Sequence, residues 1–429
     1  MAPPKGGYAP TLAKFLDTLQ SKPVEVSVES LISLLKRRQI QGAEDCALAT
    51  THILLQVVAK SRWSSVEALI ESIHSIGRKL VAASPRELTI ANIVRRVLFL
   101  VRAEVEEDRN ETGNATPAEP RDDPVAASMK IDSPVAKTRP AFPIALSALT
   151  RTQSMFNILA DPDSLPPNWM NGTSLANSGA STPLTQVFPS NTSTASLRAE
   201  LLDGIDEILD EIKLVDDQLP TYLDITIYPE DVVLVYKPSK TVQRFLTRNK
   251  RRMTVFVVTD PTAQSDPDPY ASLRKSLAAN GSVLISIMNC GVMAYMSKVN
   301  KVILGVRAIL GTAGVTADAG AAAIVRAARC HGRPVIVLGG IYQLSPNSQT
   351  SHSTATEWGD PSTHVNFADG QLVGKVNVKQ AISEFIPSED ITSYITNLGV
   401  QSRGNLLTAI ADHYKEADIA LDLYGKVLT

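Results

Sequence analysis

The chain has 429 residues, 44% of them apolar, which is enough for large buried cores and for two or three domains. Its 42 Lys and Arg residues balance 44 Asp and Glu residues, so no overall charge marks it as a binder of nucleic acid or acidic substrates. With three scattered cysteines, no apolar run of the ~18 residues that a membrane span needs and no secretory signal, we expect a cytosolic protein without disulfides.

Residues 1–106 are expected to form an all-helical domain of consecutive amphipathic helices. In "SSVEALIESIHSIGRKL" the apolar residues fall on one stripe, and Ser64 with Glu67 matches a capping box. In "SPRELTIANIVRRVL" Ser84 is the expected cap of a second helix, with Glu87 reaching back to it.

Residues 107–196 change to Pro, Ser, Thr, Asn and Asp without a sustained apolar period, which predicts a disordered insertion with one short helix near 143–158. Residues 197–221 then resume a helical pattern. Their apolar positions make one stripe, which we expect to pack on the N-terminal helices and complete that domain. The stripe consists of Leu197, Leu201, Ile205, Ile208, Ile212, Val215 and Leu219.

Residues 222–429 show short β-branched runs separated by helix-like stretches. Runs that are apolar on both faces belong to a parallel sheet covered by helices, so the pattern predicts a Rossmann-like, doubly wound α/β domain. Such a sheet offers a crevice at its strand carboxyl ends. The predicted strands are 231–236, 253–260, 282–289, 301–306 and 333–340.

No motif for a cofactor or a metal stands out. Gly311 and Gly314 lack the third glycine of a dinucleotide loop, so we expect them to serve a turn. The six histidines show no metal-binding spacing. Cys290 follows a predicted strand, where nucleophiles do occur, but we expect a small buried side chain there because free cysteine is among the most buried residues.

A basic run follows the first predicted strand. Five of its seven cations crowd the end of a predicted helix, where positive charge complements the helix dipole, so a solvated helix end is one interpretation and a partner-facing patch is the other. The run contains Lys237, Lys240, Arg244, Arg248, Lys250, Arg251 and Arg252.

Several segments resemble the regulatory alpha, beta and delta subunits of eukaryotic translation initiation factor 2B. They are "MAYMSKVNKVILGVRAILGTAG", "RPVIVLGGIYQLSP", "SYITNLGV", "SKTVQRFL", "RWSSVEALIESI" and "ANIVRRVL". Within that family the residues at 297–301 and 344–346 look most like those of beta-type chains. The resemblance covers nearly the whole chain except 107–196.

The same fold is found in methylthioribose-1-phosphate isomerase and related enzymes, and the resemblance extends to their working positions. "GVRAI" places Arg307 where those enzymes carry a catalytic Asp, and "TADAG" places Ala317 and Asp318 where they carry an Asn and a Lys. "LVYKPSK" places Lys237 near their cysteine. Exchanging acid for base and ammonium for carboxylate inverts the charges of the site, so we expect no isomerase activity.

The resemblance implies a non-catalytic subunit of the guanine-nucleotide exchange complex that acts on translation initiation factor 2 and responds to its phosphorylation. Expected partners are a delta subunit and a second beta copy, with alpha, gamma and epsilon subunits in the full assembly; nucleic acid, membrane and cofactors are not expected. The alternative is a residual isomerase or a ligand sensor built on its pocket. Candidate interface residues are Lys240, Gln243, Arg244, Asn289, Asn300 and Arg307.

Overall fold

The computed structural model describes residues 12–19, 21–63, 65–113, 190–259, 269–347, 356–360, 370 and 375–419. These ranges hold most of the predicted helical part and most of the predicted α/β part. The predicted insertion lies almost entirely outside the described residues, and so does its short helix near 143–158.

The first half of the described chain is a helical array, as predicted. Apolar side chains from every helix in it meet in one core, because each helix turns its stripe inward. The helices are α1 (Leu12–Leu19), α2 (Val24–Lys36), α3 (Ala43–Lys60), α4 (Val66–Ala83), α5 (Leu88–Gly113) and α6 (Ser190–Gln218).

Two helix starts differ from the sequence prediction. The cap of α4 is Ser65, whose hydroxyl accepts from the backbone N–H of Ala68, one residue later than predicted. Helix α5 begins at Leu88, so Glu87 precedes the helix instead of capping it from inside. Its side chain is thus available to another site.

Helix α6 packs against α3 and α5, as its stripe predicted. All seven apolar positions of that stripe are buried. The helix begins at Ser190, seven positions before the predicted start, and a short helix α7 (Leu223–Thr226) leads from it into the α/β part.

The predicted parallel sheet is present, with seven strands in the order β12-β11-β7-β4-β1-β2-β3. All neighbours pair in parallel except β12, which is antiparallel to β11. The strands are β1 (Val232–Tyr236), β2 (Thr254–Thr259), β3 (Val283–Met288), β4 (Lys301–Gly305), β7 (Val335–Leu338), β11 (Ser393–Thr396) and β12 (Gly399–Gln401). Crossover helices are α8 (Lys240–Arg248), α9 (Ala271–Ala279), α10 (Val292–Met296) and α11 (Ala321–Cys330).

A second, five-stranded sheet was not predicted. Its order is β8-β5-β6-β10-β9, and most of its pairs are antiparallel. It uses β5 (Ala308–Leu310), β6 (Val315–Asp318), β8 (Leu344–Ser345), β9 (Glu357–Gly359) and β10 (Gln380–Ile386). Gly311 and Gly314 lie in the turn between β5 and β6, where a Cβ on Gly314 would overlap the ring of Phe385.

The chain's last described helices tie the α/β part to the helical array. Helix α12 (Arg403–His413) is followed by α13 (Glu416–Ile419). Asp418 is fully buried and its carboxylate lies 3.1 Å from the guanidinium of Arg102 on α5. Tyr414 donates to the carbonyl of Leu344, 2.6 Å away. The two halves of the described chain therefore share a continuous packed boundary.

Candidate functional site

A cavity of about 370 Å³ lies where the helical array meets the carboxyl ends of β1 and β4. Its walls come from the loop between α2 and α3, the first turns of α3 and α8, and the segments that follow β1, β4 and β6. This is the crevice that a doubly wound sheet was expected to provide.

Arg307 projects into this cavity from the loop after β4. Its Nη2 lies 2.8 Å from Oδ1 of Asp318, and its Nη1 lies 3.4 Å from Oε2 of Glu357. Glu357 also pairs with Arg38 of the α2–α3 loop. Burial opposes the charged guanidinium, but Asp318, Glu87 and Glu357 outweigh burial and raise the pKa of Arg307. The cation is charged and already held by the chain's own carboxylates.

The start of α11, beside the same cavity, is also occupied by a carboxylate of this chain. Oε1 of Glu384 accepts from the backbone N–H groups of Gly320 and Ala322, at 2.8 and 2.6 Å. A helix N-terminus is a favourable place for an anion. Here Glu384 takes that place.

Glu87 lines the cavity from the turn before α5. Its Oε1 is buried without a hydrogen-bond partner in the described part of the chain. Burial raises the pKa of Glu87 from its ordinary value of 4.5 to about 7, although Arg307 acts in the opposite direction. Sequence reasoning missed this role, because Ser84 with Glu87 looked like an ordinary helix cap.

The positions that the isomerase resemblance singled out meet at this cavity. Lys237, Arg307 and Asp318 all line it, and Ala317 is buried in β6. Proton transfer at a sugar carbon needs a free acid or thiol in reach of a substrate. Arg307 and Asp318 neutralise one another, so neither of these two positions supplies it.

Two candidate interface residues on α8 make local contacts. Lys240 lines the cavity, and its Nζ lies 3.1 Å from a carboxylate oxygen of Asp45 on α3. The amide of Gln243 donates to the carbonyl of Pro238 at 2.9 Å. Lys240 thus links α8 to the helical array.

The basic run that follows is largely paired with acidic side chains at the end of α6 and in α7. Arg244, the third candidate on α8, contacts Glu44 of α3 at 3.6 Å as well. These guanidinium groups stay partly exposed to solvent, so the run is both solvated and internally neutralised. The pairs are Arg244 with Asp216, Arg248 with Asp217 and Arg251 with Asp224.

The other three candidates lie apart from each other. Asn300 precedes β4, and its side chain accepts from the backbone N–H of Val232 at 2.8 Å, so it ties the starts of β4 and β1 together. Arg307 follows β4 at the opposite end, and Asn289 follows the edge strand β3. The six candidates therefore do not form one surface.

An exposed apolar face runs along β3 and α10. Strand β3 is at one edge of the seven-stranded sheet, and its Val283, Ile285 and Met288 are 56%, 41% and 60% exposed. On α10, Met293 and Tyr295 are 52% and 40% exposed. Large apolar side chains that stay exposed on two successive elements indicate a site of protein contact. We call these five residues the β3–α10 face.

Cys290 joins β3 to α10 and is exposed, so the expectation of a buried side chain there was wrong. The thiol lies at a surface groove between α10 and α11, which Cys330 also lines. Cys290 follows the edge strand β3 at the surface of the described chain, which accounts for the difference.

Within the residues that the structure describes, no group of three or more His, Cys, Asp or Glu side chains could hold a metal ion. No helix in that part of the chain is long and apolar enough to cross a membrane.

Comparison with known proteins assigns the chain to a family. The sequence pattern of the initiation factor 2 subunit family matches residues 39–402. The chain belongs to that family. It is 29% identical over 421 residues to translation initiation factor eIF2B subunit beta of Schizosaccharomyces pombe, covering 95% of this chain and 100% of that one. The resemblance to beta-type chains is thereby confirmed.

Comparison with solved structures gives the same result. The chain is similar to the crystal structure of the tetrameric eIF2B-beta2-delta2 complex from Chaetomium thermophilum, with 32% identity, a TM-score of 0.65, and coverage of 94% of this chain and 100% of that one. It also shares its fold with 5-methylthioribose 1-phosphate isomerase from Pyrococcus horikoshii, at 12% identity and a TM-score of 0.50, with coverage of 90% of this chain and 87% of that one. The predicted fold class, a helical part followed by a doubly wound α/β part, is confirmed.

Proposed function

We propose that this chain is a non-catalytic subunit of the guanine-nucleotide exchange complex that acts on translation initiation factor 2. Its similarity to beta subunits extends over nearly its whole length, including the helical array and both sheets. In that role the chain supports assembly, binds the substrate factor and contributes to the response to its phosphorylation.

The charged side chains at the cavity argue against catalytic turnover. Arg307 is neutralised by Asp318 and Glu357, and the start of α11 is filled by Glu384. A phosphorylated sugar would have to displace these carboxylates and accept their repulsion. The residual isomerase and the sugar-phosphate sensor are therefore the weaker candidates.

The β3–α10 face is the observation that carries the proposal. Its five large apolar side chains are 40% to 60% exposed and follow one another along an edge strand and the next helix. Such a face needs a partner, and the relative of known structure occurs as a complex of two beta and two delta chains. We assign the face to a delta-type subunit.

The proposed partners are this delta-type subunit and a second copy of the chain, with alpha, gamma and epsilon subunits in the full assembly. The candidates Lys240, Gln243, Arg244, Asn289, Asn300 and Arg307 stay a prediction of residues near these contacts. Asn289 is the one that borders the β3–α10 face. A cytosolic location, with neither nucleic acid nor membrane bound directly, belongs to the same proposal.

The test is co-purification with a delta-type subunit after co-expression. Met293→Asp places a charge on the β3–α10 face and is expected to reduce recovery of the partner at least about tenfold, since a buried unpaired charge costs several kcal/mol. Leu407→Asp on α12, 41% exposed, is the matched control. If both variants recover the delta-type subunit equally well, the β3–α10 face is not part of the interface.

The regulatory role has its own test. The exchange complex, reconstituted with and without this chain, is assayed for guanine-nucleotide release from translation initiation factor 2 in unphosphorylated and phosphorylated form. We expect the chain alone to give no acceleration, and the complex that lacks it to lose most of its response to phosphorylation. An unchanged response would contradict the regulatory role and leave assembly as the chain's function.

A further inference from the structure

The groove between α10 and α11 has a volume of about 370 Å³ and is lined by two of the chain's three cysteines. Cys290 lies at the start of α10 and Cys330 at the end of α11, and both are exposed. The third, Cys46, is buried in the helical array, where burial raises the pKa of its thiol. Access and ionisation control thiol reactivity, so the two groove cysteines can react and Cys46 cannot.

The rest of the groove has a mixed character. Val292, Met293 and Ile324 supply apolar surface, and Arg326 supplies a guanidinium group that makes no ion pair within the described residues. A small molecule that bears carboxylates and an exchangeable sulfur matches this combination, because a cation beside accessible thiols attracts an anionic reagent.

We propose that this groove is a site of reversible covalent modification by small anionic disulfides of the glutathione class. A groove thiolate attacks one sulfur of the reagent, a new S–S bond forms to the chain and the reagent's own S–S bond breaks. The released half leaves as a thiolate and takes up a proton equivalent to the one that the cysteine lost. The chain's sulfur is oxidised, the released sulfur is reduced, and no other oxidant is needed.

Modification of the groove and binding of the delta-type subunit exclude one another. This part of the inference rests on the proposed function. Met293 belongs to both the groove and the β3–α10 face, so a tripeptide-sized adduct in the groove covers part of the surface assigned to the delta-type subunit. Because the adduct and the delta-type subunit compete for one surface, each lowers the affinity of the chain for the other by the same factor.

The first experiment treats the reduced full-length chain with glutathione disulfide and maps adducts by peptide mass spectrometry. We expect adducts at Cys290, Cys330 or both, none at Cys46, and complete reversal by a thiol reductant. Cys290→Ser and Cys330→Ser separately identify the reacting sulfur, and the double variant is expected to form none. Absence of adducts, or labelling of Cys46 at a similar rate, would overturn the proposal.

Arg326→Gln tests the anionic character of the reagent. It is expected to slow the reaction with glutathione disulfide several-fold and to leave the reaction with the uncharged hydroxyethyl disulfide unchanged. Equal slowing with both reagents would show that Arg326 only shapes the groove and would refute a preference for anions.

The competition with pairing is measured on the complex. In a preformed complex with a delta-type subunit we expect modification to be slower by at least about tenfold. The modified chain should fail to pair, whereas the reduced chain and the double Ser variant should pair normally. Adducts without any loss of pairing would refute the competition and leave the proposed function intact. A reduced chain that does not pair would instead refute the proposed function.

Discussion

Replacing Glu87 by Gln is expected to remove a pH-dependent loss of stability. The carboxyl group lies buried beside Arg307, and its pKa is raised by burial from 4.5 to about 7. Between these two values the folded chain holds a proton that the unfolded chain has released. The free energy of unfolding therefore falls as pH rises through this interval.

The size of the effect is set by the shift in pKa. Each pKa unit corresponds to about 1.4 kcal/mol, so the full shift corresponds to about 3 kcal/mol between acidic and mildly alkaline solution. A neutral Gln resembles the protonated Glu in shape and charge. Near pH 4 the two proteins should be about equally stable, and near pH 8 Glu87→Gln should be the more stable by up to about 3 kcal/mol.

Urea unfolding at a series of pH values, followed by circular dichroism, measures this difference. Only the difference between the two proteins is interpreted, because the other titrating groups are common to both. Glu67→Gln, at an exposed position of α4, controls for the substitution itself. Parallel stability curves for Glu87→Gln and the wild-type chain would refute the account of a buried, proton-holding carboxyl group in the cavity.

Three further predictions concern other contacts. The buried carboxylate of Asp231 lies 2.8 Å from the Nζ of Lys301, and Lys301→Met removes this cation. We expect the free energy of unfolding in urea to fall by about 3 to 5 kcal/mol. Lys213→Met, which breaks an exposed pair, should lower it by under about 1 kcal/mol. Gly314→Ala should lower stability by about 1 to 3 kcal/mol because its Cβ meets the ring of Phe385, and Gly404→Ala, where nothing lies within 4 Å, should not. Sugar phosphates should not raise the thermal midpoint, because Arg307 in the cavity is already paired with Asp318 and Glu357; a concentration-dependent rise would revive the sensor hypothesis.

The helical array and the parallel sheet could be predicted because both have strong periodic patterns. The stripe from Leu197 to Leu219 shows one buried helix face, and the apolar run at 301–306 becomes a strand buried on both sides. Both signals are local, so they can be read from a single sequence.

The second sheet could not be predicted in the same way. Strands β5 and β6 have three and four residues, and β6 pairs with β10 more than sixty residues later. Short strands that pair across such a distance leave little periodic signal. Glu357 belongs to this sheet, so its contribution to the cavity was hidden as well.

At the cavity, the resemblance identified Arg307, Asp318 and Lys237 but not Glu357, the second carboxylate that pairs with Arg307. Glu87 was missed because its spacing from Ser84 matches a capping box, and the true start of α5 releases its side chain into the cavity. Cys290 was misjudged because the usual burial of free cysteine does not hold just past the edge strand β3, at the surface of the described chain.

The proposed assembly can be measured by native mass spectrometry of the chain co-expressed with a delta-type subunit. We expect a complex that contains two copies of each of the two chains, and no stable monomer of this chain. A monodisperse monomer that ignores the delta-type subunit would contradict it.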